Sequence, residues 1–181
     1  MSESHFLAFH LGPIQDFIAT ARRTQDLWMG SWLLSHLSQT AIDTAQIKGA
    51  ELVLPKELPK SGDPAVADTP NHCLVRVRES DVADIARQIQ TAVESAWFCI
   101  HRKVKSEFFG SVPDDLWRRQ LENFLEIYWA AVPNDSSKEA RNRAQATLDA
   151  RKRLRDFRPT CEPHLKCTLC GARQELKGNS R

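Results

Sequence analysis

The chain has 181 residues, 41% of them hydrophobic and 27% charged, with a formal net charge of +2. That is long enough for one domain with a real core and a small appendage, and too weakly charged for charge alone to imply a nucleic-acid partner. No apolar run approaches the roughly 20 residues that span a bilayer, and Met1 to Ser4 leads straight into a strand with no basic region or small-residue cleavage site, so a cytoplasmic location is expected.

Phe6 to Leu11 is an apolar run interrupted only by His10, short enough for a buried strand. Gly12 and Pro13 break it, and the pattern predicts a tight turn into a helix whose inward face is Ile14, Phe17, Ile18 and Ala21. A strand end, a glycine and a helix N-terminus then meet at one point, where free backbone N–H groups and a positive dipole favour an anion. This corner is a candidate phosphate site; a plain strand-to-helix corner would read the same. His10, on a buried strand, reads as a core residue with its hydrogen bonds satisfied.

A second helix is expected from about Gln25 to Lys48, with Leu27, Trp28, Leu33, Leu34, Leu37, Ile42 and Ile47 on its apolar face. Gly30 inside it suggests close approach of a ligand or another backbone, or tight helix packing. Glu51 to Leu54 and His72 to Val77 read as strands, the latter with Arg76 and Arg78 facing solvent or RNA. Between them Pro55 to Pro70 holds four prolines and one glycine and reads as a surface loop. Ser80 or Asp81 can cap a long helix to about Phe109, with a stripe of Val82, Ile85, Ile89, Val93, Trp97, Ile100 and Val104 and a basic end at His101 to Lys105. Pro113, Asp114 and Asp115 start a short helix with Trp117, Leu121 and Phe124 inward, and Leu125 to Val132 is the fourth strand. The order of elements predicts an α+β, ferredoxin-like βαββαβ domain over residues 1–134 with long helical additions.

Residues 135–158 read as a basic helix carrying Arg141, Arg143, Arg151, Lys152, Arg153 and Arg155, able to track an RNA backbone or simply solvated. Residues 159–181 hold three of the five cysteines. Cys167 and Cys170, followed by Gly171, form a knuckle that suits zinc, with Cys161 and His164 as further candidate ligands; a reduced, metal-free tail is the alternative. Cys73 and Cys99 read as buried small hydrophobes.

The string GPIQDFIATARRTQDLWMGSWLLS, Gly12 to Ser35, resembles the large subunit of type III CRISPR effector complexes, in particular the Cmr (type III-B) branch, at the start of its first palm. The matching residues are Gly12 to Gln15, Phe17, Ile18, Ala21, Arg22, Asp26, Leu27, Trp28, Gly30, Ser31, Leu33 and Leu34. The resemblance implies a palm fold and a place among other complex subunits, with guide RNA, target RNA and a second palm as partners. It implies that Gly12, Gln15, Asp16, Arg22, Arg23 and Ser31 face a nucleotide, ATP with a divalent metal, held only together with that second palm. In the family a Gly-Gly-Asp-Asp turn in the second palm binds the metals for making cyclic oligoadenylates. This sequence lacks that tetrapeptide and lacks a His-Asp pair, so the segment is expected to be inactive alone. In the family a second cysteine pair also follows the knuckle further along, whereas this sequence stops at Arg181, which suggests a split or truncated polypeptide. The alternative reading is a stand-alone ferredoxin-like RNA-binding protein with a zinc knuckle and no catalysis. A Gly-Gly-Asp-Asp palm in the continuation or the neighbouring reading frame would separate the two.

Overall fold

The computed structural model describes residues 4–14, 18–57, 67–121, 124–135, 137–154, 165–168, 170–171 and 173–176. Its elements are β1 (Ser4–Gly12), α1 (Thr24–Ile47), β2 (Glu51–Leu54), β3 (His72–Arg78), α2 (Val82–Phe108), α3 (Asp114–Leu121), β4 (Glu126–Pro133) and α4 (Lys138–Arg153). The strands form one sheet in the order β2-β3-β1-β4, and every neighbouring pair is antiparallel. Each helical crossover, through α1 and through α2 with α3, therefore skips a strand, which is the ferredoxin-like arrangement expected from the element order.

Strand β1 is apolar on both faces because both faces are covered. Leu7, Phe9 and Leu11 point to the side of α1 and α2, where they join Leu37, Ile42, Val75, Ile85, Ile89 and Val93. Phe6 and Ala8 point the other way and meet Leu74, Ala130, Val132 and three residues of α4, Ala140, Ala144 and Leu148. Those three recur every fourth residue, so they form one stripe along the helix. The basic helix is thus the third layer of the fold, sandwiching the sheet. Its start is fixed by Ser137, whose hydroxyl accepts from the Ala140 N–H at 3.1 Å.

Several expectations change in detail. Burial on α1 begins at Gly30, so Leu27 and Trp28 are 43% and 45% exposed, and Ile47 at the far end is 80% exposed. At about 1.5 Å per residue the 24-residue helix runs ~36 Å, whereas the strands it covers are shorter, and both ends overhang. Cys99 is exposed, not buried, because it falls off the 85-89-93 stripe of α2; Cys73 is buried, which pushes its thiol up to about 12. Asp81 precedes α2 but gives it no side-chain cap, since its carboxylate accepts from Arg78 and from the Ser80 hydroxyl, each at 2.8 Å. Arg76 is paired with Glu51 at 3.0 Å. Among the described residues no helix is long and apolar enough to cross a membrane.

Candidate functional site

The central strand ends at Gly12, the point singled out by the sequence. Gln15 and Asp16 lie outside the described residues, as does Phe17. The Ile18 N–H donates to the Ile14 carbonyl at 2.9 Å. Gly12 does not have a positive φ, and a Cβ there would sit 3.7 Å from Glu126 Cβ and Oε2 and 3.8 Å from His10 Nε2, ordinary contact distances. The turn therefore does not demand glycine for backbone reasons; what Gly12 leaves open is the space between a carboxylate and an imidazole.

Asn71 fastens this strand end. Its carbonyl accepts from the Leu11 N–H at 2.9 Å, and its side-chain Nδ2 donates to the Leu11 carbonyl at 3.1 Å. The same amide nitrogen lies 3.3 Å from His10 Nδ1. A nitrogen that donates to a carbonyl also donates to the ring, so His10 accepts at Nδ1 and carries its proton on Nε2, toward Gly12 and Glu126. Tyr128 OH donates to Glu126 Oε2 at 3.4 Å, and the Arg151 guanidinium lies over the Tyr128 ring, 5.4 Å from its centroid. Burial, then the nearby Lys152 and His72 charges, lower the pKa of His10 to about 4, with Asp149 opposing. Burial also lowers that of His72, Asp149 opposing and Lys152 adding to it. Both imidazoles are thus neutral near pH 7. Asn71, Glu126, Tyr128, Asp149 and Lys152 were not legible as site residues; the register pairs His10 with His72 on one side and Tyr128 on the other, and only the sheet order reveals that.

The other predicted residues are distributed around the start of α1. Arg23 is its N-cap, where the backbone N–H donates to Asp26 Oδ2 at 3.1 Å, and its guanidinium is exposed with no partner among the described residues. Ser31 is exposed on α1 beside buried Gly30. Arg22 is engaged elsewhere: its Nη2 donates to the Thr168 carbonyl at 2.8 Å, between the two knuckle cysteines in sequence.

The knuckle itself is a short hairpin. Lys166 and Gln174 form an antiparallel bridge, Cys167 N–H donates to the Arg173 carbonyl at 2.7 Å, and Gly171 N–H donates to the Cys167 carbonyl at 2.8 Å. Here glycine is required, since Gly171 has φ +64°. The Arg173 N–H lies 3.5 Å from Cys170 Sγ and points a donor at that sulfur. The turn docks on the region of α3: Arg119 donates to Gln174 Oε1 at 3.2 Å, Arg173 donates to the Gln120 carbonyl, and the Arg173 guanidinium sits 5.4 Å from the Phe124 ring centroid. Two thiols separated by two residues, with a peptide N–H aimed at one, fit half of a zinc site. Cys161 and His164 lie outside the described residues, and among the described residues no three His, Cys, Asp or Glu side chains cluster as metal ligands.

Asp114 and Asp115 open α3. Asp114 accepts from Lys105 Nζ at 2.5 Å, which holds its carboxyl below the usual carboxylate range. The pair lies inside the first turn of the helix, after Pro113, whose carbonyl accepts from the Trp117 N–H at 3.0 Å; the expected N-terminal cap is thus the proline's position, and the two acids sit at the positive end of the helix dipole.

Sheet order and layering define an α+β protein of the ferredoxin-like, palm type, with an appended cysteine turn. The profile of CRISPR-associated protein Cmr2, N-terminal, matches residues 6–102, more than half of the chain. The chain belongs to that family and is a type III CRISPR effector component. Among solved structures, a chain in the crystal structure of the apo Csm1-Csm4 cassette is similar, with a TM-score of 0.51 at 16% identity, over 86% of this chain and 19% of that chain. At that identity the likeness bears on the fold. This chain spans about a fifth of the length of the chain it resembles. No curated protein matches it.

Proposed function

We propose that this chain is the first palm of a Cmr-type, type III-B large subunit and supplies one wall of an ATP pocket that a second palm completes. The observation that carries this reading is the end of β1: a central strand stops at Gly12 beside Glu126 and a protonated His10 Nε2, and an exposed arginine stands at the start of the next helix. Cations and N–H donors would meet phosphates, and the Glu126 carboxylate would accept from ribose hydroxyls. The metal-binding carboxylates would belong to the second palm, in cis or in trans, where the divalent ions would neutralise charge on the transferring phosphoryl group as cyclic oligoadenylates form. Other complex subunits, guide RNA and target RNA are the proposed partners, with target recognition as the trigger. Zinc would be held by Cys167 and Cys170 together with Cys161 or His164, and its role would be structural.

The test is ATP binding by the assembled complex carrying Arg22→Ala and Arg23→Ala together. Loss of two cationic contacts should weaken binding by about tenfold or more. Unchanged affinity rejects the assignment of the corner to nucleotide.

A further inference from the structure

α4 does not cover its face of the sheet evenly. Its apolar stripe packs on Phe6, Ala8, Ala130 and Val132 of β1 and β4 and covers most of Leu74 on β3, with Val53 partly buried beside it, so the gap in the cover lies toward the β3 and β2 edge beside the helix. A shallow cleft of about 310 Å³ lies there, lined by Leu54, His72, Leu74, Arg141, Asn142 and Gln145. The register shift between Leu52 and Leu54 explains its floor. Leu52 packs with the α1 and α2 side, whereas Val53 packs with the α4 side and Leu54 lines the cleft, so the irregularity turns two consecutive apolar residues to one face.

Two buried polar atoms on this face of β3 are left over. His72, Leu74 and Arg76 pair across the sheet with His10, Ala8 and Phe6, so they share the α4 side. His72 Nε2 and Arg76 Nε are each buried without a hydrogen-bond partner among the described residues, an arrangement that is costly unless something else satisfies it. On the opposite wall Arg141 and Asn142 are exposed with no partner among the described residues, and Gln145 uses only its Nε2, toward Asp149 at 3.2 Å. The cleft thus offers an apolar floor with an imidazole edge, two carboxamides and a free guanidinium.

We infer that this cleft binds one nucleoside monophosphate unit, its base on Leu54, Leu74 and the His72 ring, its base edge read by Asn142 and Gln145, and its phosphate on Arg141. These are the three kinds of contact a nucleotide presents, and a cleft of this size admits a single unit. The unit is either a free nucleotide or one residue of a single-stranded RNA. No lining residue belongs to the corner at Gly12, so this reading stands whether or not ATP binds there.

The experiment is NMR titration of the isotope-labelled 181-residue chain with AMP, an eight-residue oligoadenylate, inorganic phosphate and an acidic peptide. Expected are shifts of the Leu54, Leu74 and Gln145 amides and of the His72 ring with AMP or the oligonucleotide. Response to both assigns the free unit as sufficient, and response to the oligonucleotide alone assigns a strand. The surface double variant Arg141→Ala, Asn142→Ala should keep the wild-type spectrum outside the cleft and bind about tenfold more weakly. Equal shifts with phosphate or the acidic peptide, shifts confined to other surfaces, no shifts at all, or undiminished binding by the double variant would overturn the inference.

Discussion

His10 shows how much one side chain's chemistry depends on neighbours far away in sequence. Its ring is held by Asn71, faces Glu126 and is repelled by Lys152 and His72, with Asp149 opposing. A folded pKa of about 4 against 6.5 means that the unfolded chain binds the proton more readily across that window. The contribution of the neutral ring to stability is therefore complete above pH 6.5 and is lost as pH falls toward 4, and His72, lowered in the same direction, adds to the slope. In urea titrations the wild-type midpoint should fall between pH 7 and pH 4.5, and His10→Gln should fall less. Equal slopes in the two proteins would contradict this account. The sequence located His10 on a buried strand, and that was right in kind. It did not show the partners, because residues 10, 71, 126 and 149 come together only through register and through a helix laid across the sheet.

At the level of elements, periodicity was a good guide wherever one pattern dominated. The stripe of α2 was readable from spacings of three and four as far as Ile100, though Val104 beyond it is exposed, and the apolar run of β1 from a run too continuous for a half-exposed strand. α4 was harder because its many charges drew attention away from three small or medium residues. Ala140, Ala144 and Leu148 are each fully buried, so the helix is anchored by its narrow face while Arg141, Arg143 and Arg153 stay exposed. Leu148→Ala should therefore destabilise the protein by about 3 kcal/mol, the usual cost of truncating a core leucine, read from the denaturation midpoint. Arg153→Ala, on the exposed side, should change it by less than about 0.5 kcal/mol. A Leu148→Ala midpoint equal to wild type would mean that the third layer does not contribute to the fold. Arg143 is already committed on this helix: with Ser137 it holds Asp135 down to about 2.

For the molecule as a whole, the order strand, helix, strand, strand, helix, strand was enough to give the sheet. The place of the cysteine turn was not, since nothing in a Cys-x-x-Cys motif says which helix it will lean on. Its contacts with Arg22, Gln120 and Arg119 join the last described segment to the body. If zinc is held as proposed, metal analysis of the purified chain should find about one zinc per chain. Cys167→Ser with Cys170→Ser should abolish it and speed amide exchange at Cys167 and Gly171. A chain with no zinc at any stoichiometry ends the metal assignment.

The bond from Arg22 to the Thr168 carbonyl spans 146 positions, yet it lies in solvent and its acceptor is neutral. Its donor is charged but it meets a single neutral oxygen, whereas a phosphate offers the guanidinium two charged oxygens in a bidentate pair. Arg22 is therefore parked, not locked: a passing anion can win it over, and the tail turn would then lose one of its moorings at the moment the guanidinium changes hands.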